Sequence, residues 1–449
     1  MARALSHPAA AAPRASAFRR PDARKPRAAG GAVARHNVLK FGKPYFITMP
    51  STSMLETENG GPQGGPATLE RVDVHVLRCP IATPVQTSFG VMRERPAVLV
   101  SITDSDGCTG WGEVWSNFPE CGAEHRAALV STVFAPMLAG LRVADPAHVF
   151  RDLTERTAVL ALQCGEPGPF AQAIAGLDLA LWDLFARRAG LPLWKLLGGD
   201  TDRIAVYASG LNPVGSEQLV EEKLDEGYEA FKLKVGFGVE QDVSSLNMLR
   251  EIIGPTRRLM ADANQAWTFA QALEIAPRLA AFDLDWLEEP LRCDRPLGEW
   301  QALAADCPIP LAGGENLTGD DAFNAAIGSR ALTVIQPDAA KWGGISGCLK
   351  VIRAVQAAGL TYCPHYLGGG IGLLASAHLL AATGAGGMLE IDANPNPLRT
   401  LLHGPLGTLT QGYADLGHAP GIGVVRDLAE LRERVREEAA AVGALGKAA

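Results

Sequence analysis

Residues 230–264 read AFKLKVGFGVEQDVSSLNMLREIIGPTRRLMADAN: two short strand-like runs, Ala230–Val235 and Arg258–Ala261, joined by a helical stretch. A strand, a helix and a second strand in that order pair the strands in parallel, because the crossover returns the chain to the same end of the sheet. The same unit recurs on both sides. The strand candidates are Ile204–Ala208, Ala230–Val235, Arg258–Ala261, Leu284–Leu287, Ile309–Ala312, Leu332–Ile335, Thr361–Pro364 and Gly387–Ile391. Most are separated by about 25 residues, room for one helix and two loops. Eight such units close a (β/α)8 TIM barrel. The structural alternative is a doubly wound open sheet binding a dinucleotide, for which Gly236-Phe237-Gly238 is the best support. Gln241 stands where the third glycine of that fingerprint belongs, so only a lone GxG remains.

Before the barrel, Leu69–Arg78 and Ala97–Thr103 alternate like strands, Asp106-Gly107 supplies a turn, and a third short strand follows near Gly110–Val114. Ala173–Ala189 carries Ile174, Leu177, Leu181 and Leu184 as one apolar stripe closed by Gly190 and Pro192, which predicts a helix. Residues 69–200 therefore form an α+β domain and residues 201–400 the barrel. After about Leu401 the strand rhythm stops. A charged helix over Asp427–Ala439, with Leu428, Leu431 and Val435 at helical spacing, makes residues 401–449 a tail expected to pack back on the N-terminal domain. The overall class is α/β.

Residues 1–68 are rich in Ala, Arg, Pro and Gly, and Asp22 is the only acidic residue before Glu56. Such a segment buries too little apolar area to offset its ordering entropy, so disorder is expected. An Arg-rich, acid-poor transit peptide is a second reading. A spurious extension from an upstream start codon, with Met49 or Met54 as the true beginning, is the preferred one.

A formal charge of −8 and a pI near 5.7 argue against nucleic acid or an anionic membrane as partner. No apolar run reaches the roughly 18 to 20 residues that span a bilayer. Eight scattered cysteines without a CxxC pair suit reduced thiols better than disulfides or a zinc site. The expectation is a cytoplasmic enzyme acting on a small molecule, assembled as a homo-oligomer.

Catalytic groups of a TIM barrel sit at the C-terminal ends of its strands. From the second strand to the eighth, those ends carry Lys232/Lys234, Asp262, Glu288, Glu315, Asp338, His365 and Glu390. Any one of them reads as a solvated loop charge; seven in register do not. Asp262, Glu288 and Glu315 come from adjacent strands, and three anions at close range repel unless a cation holds them. Hard oxygen ligands favour Mg²⁺ or Mn²⁺; the alternative is pairing with Lys or Arg. Lys232 and Lys234 leave the same face of their strand. Neighbouring ammonium groups drive a pKa from about 10.4 towards neutrality and make a general base, unless both are simply solvated on an exposed face. Asp338 beside His365 would fix the imidazole tautomer and make a second acid/base. Glu390 is expected to donate a hydrogen bond if burial keeps it protonated.

These motifs stand as FKLKVG (231–236), DAN (262–264), WLEEP (286–290), GGEN (313–316), QPDAAKWGG (336–344), CPH (363–365) and LE (389–390). Over about residues 69–440 the chain resembles the enolase superfamily, specifically its mandelate racemase subgroup. The resemblance implies that the α+β domain caps the barrel and that Mg²⁺ sits on Asp262, Glu288 and Glu315. It further implies Lys234 and the His365–Asp338 dyad as bases on opposite faces of a carboxylate substrate. Lys232 and Asn264 would contact that substrate, and Glu390 would hydrogen-bond its carboxylate. Lys341 is an extra cation similar to the strand-six base of the muconate-lactonizing subgroup, an assignment the Asp338–His365 pair opposes. The implied chemistry is removal of the proton α to a carboxylate, with positive charge stabilising the enediolate.

Specificity is expected from two capping loops, Ile81–Pro96 and Trp115–Glu124. They offer Thr87, Ser88, Arg93 and Asn117 against the rings of Phe89 and Phe118. Polar groups outnumber aromatic ones, which favours a polyhydroxy acid: dehydration of a sugar acid first, racemisation or epimerisation second, with cycloisomerisation a further alternative. A glycoside hydrolase would also use barrel-end carboxylates but leaves KxK and the Asp–His pair unexplained. A non-catalytic barrel is the remote alternative.

Overall fold

The structure, a computed structural model, describes residues 65–87, 90–384, 386–424 and 428–448. The segment expected to be disordered lies outside these residues except for 65–68. Ala67 and Thr68 already belong to the first strand and pair with Val143 and Arg142. The fold thus begins before the change in composition that marked the expected boundary.

The first sheet is antiparallel and contains β1 (Ala67–Thr87), β2 (Gly90–Asp104), β3 (Thr109–Val114) and β4 (Arg142–Val143), in the order β3-β2-β1-β4. Val98, Val100 and Ile102 of β2 share a core with Ile174, Leu177, Leu181 and Leu184 of the helix Pro167–Arg188. That helix starts six residues before the expected Ala173. It approaches β3 so closely that a Cβ on Gly112 would lie 2.0 Å from the Gly176 carbonyl oxygen. Gly112→Ala should therefore force the helix off the sheet and cost about 1–3 kcal/mol, read as a lowered melting temperature. An unchanged melting curve would rule out this close packing.

One expectation is corrected here. Ile81–Pro96 is not a loop but the outer part of a hairpin, with Val85 opposite Met92 and Thr87 opposite Gly90, and a bulge between Pro80 and Val85.

The barrel strands are β5 (Arg203–Leu211), β6 (Ala230–Lys234), β7 (Arg258–Asp262), β8 (Leu287–Glu288), β9 (Leu311–Gly313), β10 (Val334–Ile335), β11 (Thr361–Tyr362) and β12 (Met388–Asp392). They pair in parallel in the order β12-β5-β6-β7-β8-β9-β10-β11, and β13 (Tyr413–Asp415) adds antiparallel to β5. β8, β10 and β11 are shorter than the runs read from sequence, since Leu284 and Leu332 lead in as buried but unpaired residues. The two ends of the sheet meet where Met388 N–H reaches Cys363 Sγ at 3.4 Å. A Cβ on Gly387 would fall 1.7 Å from the Tyr362 carbonyl oxygen, so only glycine admits the two strands at that distance.

The barrel interior is built in levels. Tyr207, Ala230, Met260, Trp286, Ala312, Val334, Cys363 and Met388 form one buried cluster with a residue from each of the eight units. The side chain two positions later points the same way along a strand. Two residues after Ala230, Met260, Trp286 and Met388 stand Lys232, Asp262, Glu288 and Glu390. The apolar plug thus ends where the ionisable layer begins.

Several buried hydrogen bonds tie the first domain to the barrel. Glu113 of β3 accepts hydrogen bonds from the amides of Gly369 (2.6 Å) and Gly372 (3.0 Å) at the start of the helix Gly370–Thr383. Asp178 accepts from Ser346 N (2.9 Å) and Ser346 Oγ (2.6 Å) in the first turn of the helix Gly344–Ala357. Trp194 N–H donates to Nδ1 of buried His378 at 3.1 Å. Burial pushes the His378 imidazole down to about 4. The folded protein therefore holds it neutral while the unfolded chain protonates near 6.5. Stability from this group is complete above about pH 6.5 and falls as pH drops towards 4, by roughly 3 kcal/mol in all. Denaturant melts at pH 7 and pH 4.5 should show this loss, and His378→Asn should remove most of it. An equal loss in the variant would count against a neutral, buried His378.

The helix Leu428–Ala448 packs against β1, with Leu431 and Val435 buried. No helix among the described residues is long and apolar enough to cross a membrane.

Candidate active site

Parallel register sets the positions of the ionisable groups. Lys234 stands opposite Asp262, and Asp262 opposite Glu288, at one level of the barrel. Glu315 lies two residues past the end of β9, while Asp338 and His365 lie three past the ends of β10 and β11. All are buried, as are Lys232 (1 % exposed) and Glu390. The alternative of two solvated lysines on an open strand is therefore wrong.

Each carboxylate of the expected metal trio has a cationic partner. Lys232 Nζ lies 2.7 Å from Glu288 and 2.7 Å from Glu390, and 3.9 Å from Asp262. Lys234 Nζ lies 2.7 Å from Asp262. Glu315 takes His365 Nε2 at 2.6 Å on one oxygen and Lys341 Nζ at 3.4 Å on the other. Glu288 also accepts from Gln336 Nε2 (2.6 Å) and Trp286 Nε1 (3.2 Å). Among the described residues no three His, Cys, Asp or Glu side chains stand together as metal ligands while the lysines hold these acids.

Two expected pKa effects are reversed by this pairing. Burial pulls the Lys232 ammonium down, but Glu288, Glu390 and Asp262 outweigh it and hold it well above the ordinary lysine value. Lys234 is likewise raised, its burial outweighed by Asp262. Mutual repulsion of the two lysines is the smaller effect, so neither moves towards neutrality here. Glu390 is not protonated either: burial raises it, yet Lys232 and His365 bring it below the usual carboxylate value. It accepts from Ser209 Oγ and Tyr366 N instead of donating. Burial pushes Glu288 up to about 7, with Asp262, Glu390 and Glu315 adding to it against Lys232.

His365 Nδ1 lies 2.8 Å from Asp338 Oδ2, the expected dyad. Burial lowers the imidazole, but Glu315, Glu390 and Asp338 raise it well above the ordinary histidine value, so it is an imidazolium at neutral pH. Lys234, Asn264, Glu315 and His365 line one cavity at the barrel mouth. Asn264 is held at φ 43° by bonds from its backbone and side-chain nitrogens to Asp262 (2.8 and 3.1 Å).

The hairpin and the Trp115–Glu124 loop roof this cavity, but with different residues from those expected. Strand alternation turns Met92 inward and leaves Arg93 exposed, in a surface groove beside Arg78 and Glu94. Thr87 closes β1; its side chain and Phe89 lie outside the described residues. Asn117 does line the cavity and donates to the Leu367 carbonyl. Val85, Met92, Trp115, Phe118 and Arg95 join it. Polar groups thus do not outnumber apolar ones on the roof; the amides Asn212, Asn264 and Asn394 come from the barrel.

Arg95 and Asp392 escaped the sequence reading. Arg95 Nη2 meets Asp392 Oδ2 at 2.8 Å, both nearly fully buried, joining β2 to β12 across almost 300 positions. The one available signal was Asp392 standing two residues after Glu390, on the same face.

Comparison with known proteins agrees with this architecture. Residues 71–198 match the family model of the mandelate racemase/muconate lactonizing enzyme N-terminal domain, and residues 216–430 match the enolase C-terminal domain-like model. A mandelate racemase/muconate lactonizing enzyme of Bordetella bronchiseptica has a crystal structure 59% identical to this chain, covering 82% of it and 99% of the other, with a TM-score of 0.78. The chain belongs to the mandelate racemase/muconate lactonizing enzyme family of the enolase superfamily. D-Galactarolactone cycloisomerase of Agrobacterium fabrum is 31% identical over 79% of this chain and 95% of its own length. A racemase of Streptomyces coelicolor with bound magnesium is 30% identical over 81% of this chain and 99% of its own, with a TM-score of 0.73. Further relatives are named as sugar-acid dehydratases and as an N-succinylamino acid racemase. The roof residues described above all fall within the span matching the family's N-terminal domain.

Proposed function

We propose that this protein catalyses Mg²⁺-dependent abstraction of the proton α to a carboxylate, and that its overall reaction is dehydration of a sugar acid to a 2-keto-3-deoxy acid. The observation that carries this reading is the pairing of two proton-transfer groups in one cavity, Lys234 on one strand end and the His365–Asp338 dyad on another.

The donor set fits Mg²⁺. Asp262, Glu288, Glu315, Asp338 and Glu390 outnumber Lys232, Lys234, Lys341 and the His365 imidazolium, and two ammonium groups already stand among the acids as cations. Asp262, Glu288 and Glu315 would hold the ion, which would supply positive charge beside the developing enediolate. Lys234 serves as base on one face of the α-carbon. Lys232 and Asn264 bind substrate oxygen. His365, held protonated, gives its proton to the departing β-hydroxyl, and Asp338 keeps the ring oriented. Glu390 acts as an acceptor anchoring Lys232 rather than as a donor to substrate.

Cycloisomerisation is the second reading. It is favoured by two relatives of that name whose own length is covered to 95% and 98%. Racemisation or epimerisation shares the first step.

The test is a panel of aldonic and aldaric acids and their lactones incubated with protein and Mg²⁺ in deuterated water. Deuterium at the α-carbon of recovered acid, with a keto acid formed from an open-chain acid by loss of water, supports dehydration; a keto acid formed only from a lactone, by expulsion of its ring oxygen with no water lost, selects cycloisomerisation. Absence of α-exchange across the panel would remove the proposed reaction.

A further inference from the structure

Lys341 is a cation that the proposed reaction does not use. It follows Asp338 in the loop after β10 and lines the same cavity as Lys234. β10 is four strands from β6 in an eight-stranded barrel, so Lys341 and Lys234 stand on opposite sides of the mouth. Its side chain is only 13% exposed.

Its surroundings leave the ammonium incompletely matched. The nearer acceptor is the neutral Oδ1 of Asn316 at 3.0 Å. The charged one, Glu315 Oε1, is at 3.4 Å, and the other oxygen of Glu315 is taken by His365 at 2.6 Å. Asn316 is fixed in this orientation because its Nδ2 donates to both oxygens of Glu289 (3.0 and 3.0 Å) and to Glu315 (2.8 Å). Trp115 of the cap presents its ring 5.0 Å from Nζ, and Trp115 N–H docks on the Ala340 carbonyl at 3.3 Å. An ammonium has three hydrogens; two have acceptors and the cavity lies beside the third. A buried ammonium whose nearer acceptor is neutral, and whose one anionic acceptor is longer and shared with His365, is best completed by a further anion. The anion has to come from a molecule in the cavity, on the side remote from Lys234 and beneath the cap.

We infer that Lys341 and Trp115 form a subsite for a second carboxylate, so that the preferred substrates are sugar diacids rather than monoacids. This rests on the proposed α-proton chemistry for the placement of the first carboxylate. It adds a specificity-determining residue, not a base.

The experiment uses the full chain with Mg²⁺ and matched pairs of acids: galactarate and galactonate, glucarate and gluconate, mannarate and mannonate. Each pair differs only in whether the terminal carbon is a carboxylate or a hydroxymethyl group. Calorimetry measures binding, and α-proton exchange in deuterated water measures the reaction. At least one diacid should bind about 10- to 100-fold tighter than its monoacid, the range of one charge-assisted hydrogen bond. Lys341→Met should collapse that ratio to within about threefold, and Lys341→Arg should retain a good part of it. Melting temperatures of both variants check folding, and Trp115→Phe, which keeps a ring, should narrow the ratio without abolishing it. A wild-type protein that binds no diacid more tightly than its monoacid, or a Met variant that keeps the full ratio, overturns the subsite. Absence of exchange with every acid overturns the reaction instead, whatever the binding ratio shows.

Discussion

His365→Asn should abolish product formation from the true substrate while α-proton exchange through Lys234 survives for one configuration at the α-carbon. The two groups reach the reacting carbon from different strand ends, so each exchanges one face. Lys234→Ala should lose exchange on its own face, and the other face should exchange only through the neutral fraction of His365, faster as pH rises. Each loss should lower the affected rate by about 10² to 10⁴, the usual worth of a positioned proton transfer. In a dehydratase, His365→Asn would still exchange yet form no keto acid, because the proton donor for the leaving hydroxyl is gone. In a racemase the same variant would exchange one enantiomer without inverting it. Full turnover in either variant would eliminate the two-base scheme, and Lys341 would then be tested as the base.

Glu288→Gln should lower Mg²⁺ affinity by at least about tenfold and remove turnover, with the melting temperature little changed. The amide oxygen can stand at the Oε2 position, where it still accepts from Lys232, Gln336 and Trp286, and Glu390 keeps Lys232 paired, so folding is spared. Because burial and the neighbouring acids push Glu288 up to about 7, Mg²⁺ binding through its carboxylate should weaken as pH falls below 7 in the wild type. That pH dependence should be blunted in the variant. Isothermal titration showing unchanged Mg²⁺ affinity in Glu288→Gln would move the metal elsewhere.

The barrel was legible because its parallel strands announce themselves twice, as apolar runs and as ionisable residues at their ends. Lys234, Asp262 and Glu288 fall at one level since parallel register leaves them no choice. The outer hairpin was read as a loop because Pro80, Pro84, Pro96 and Gly90 all signal a break. The structure accommodates Pro80 and Pro84 at a bulge, where the regular pairing lapses. The charge states were beyond reach for a different reason. Whether Lys234 is lowered by Lys232 or raised by Asp262 depends on distances of a few ångströms, and the sequence fixes only which groups are neighbours. Arg95, Glu113 and Lys341 acquire meaning only through partners on other elements: Asp392, the Gly369 and Gly372 amides, and Asn316 with Trp115.

The helix Leu428–Ala448 covers β1, the earliest strand described, although it is the last element in the chain. During synthesis, domains form from the N-terminus onwards as the chain emerges. Here the cap's sheet leaves the ribosome early with one flank bare, and all eight barrel units follow before the covering helix exists. Maturation of the cap therefore waits until the barrel has been synthesised, and a chain cut short after β13 would yield a barrel whose cap sheet lacks its covering helix.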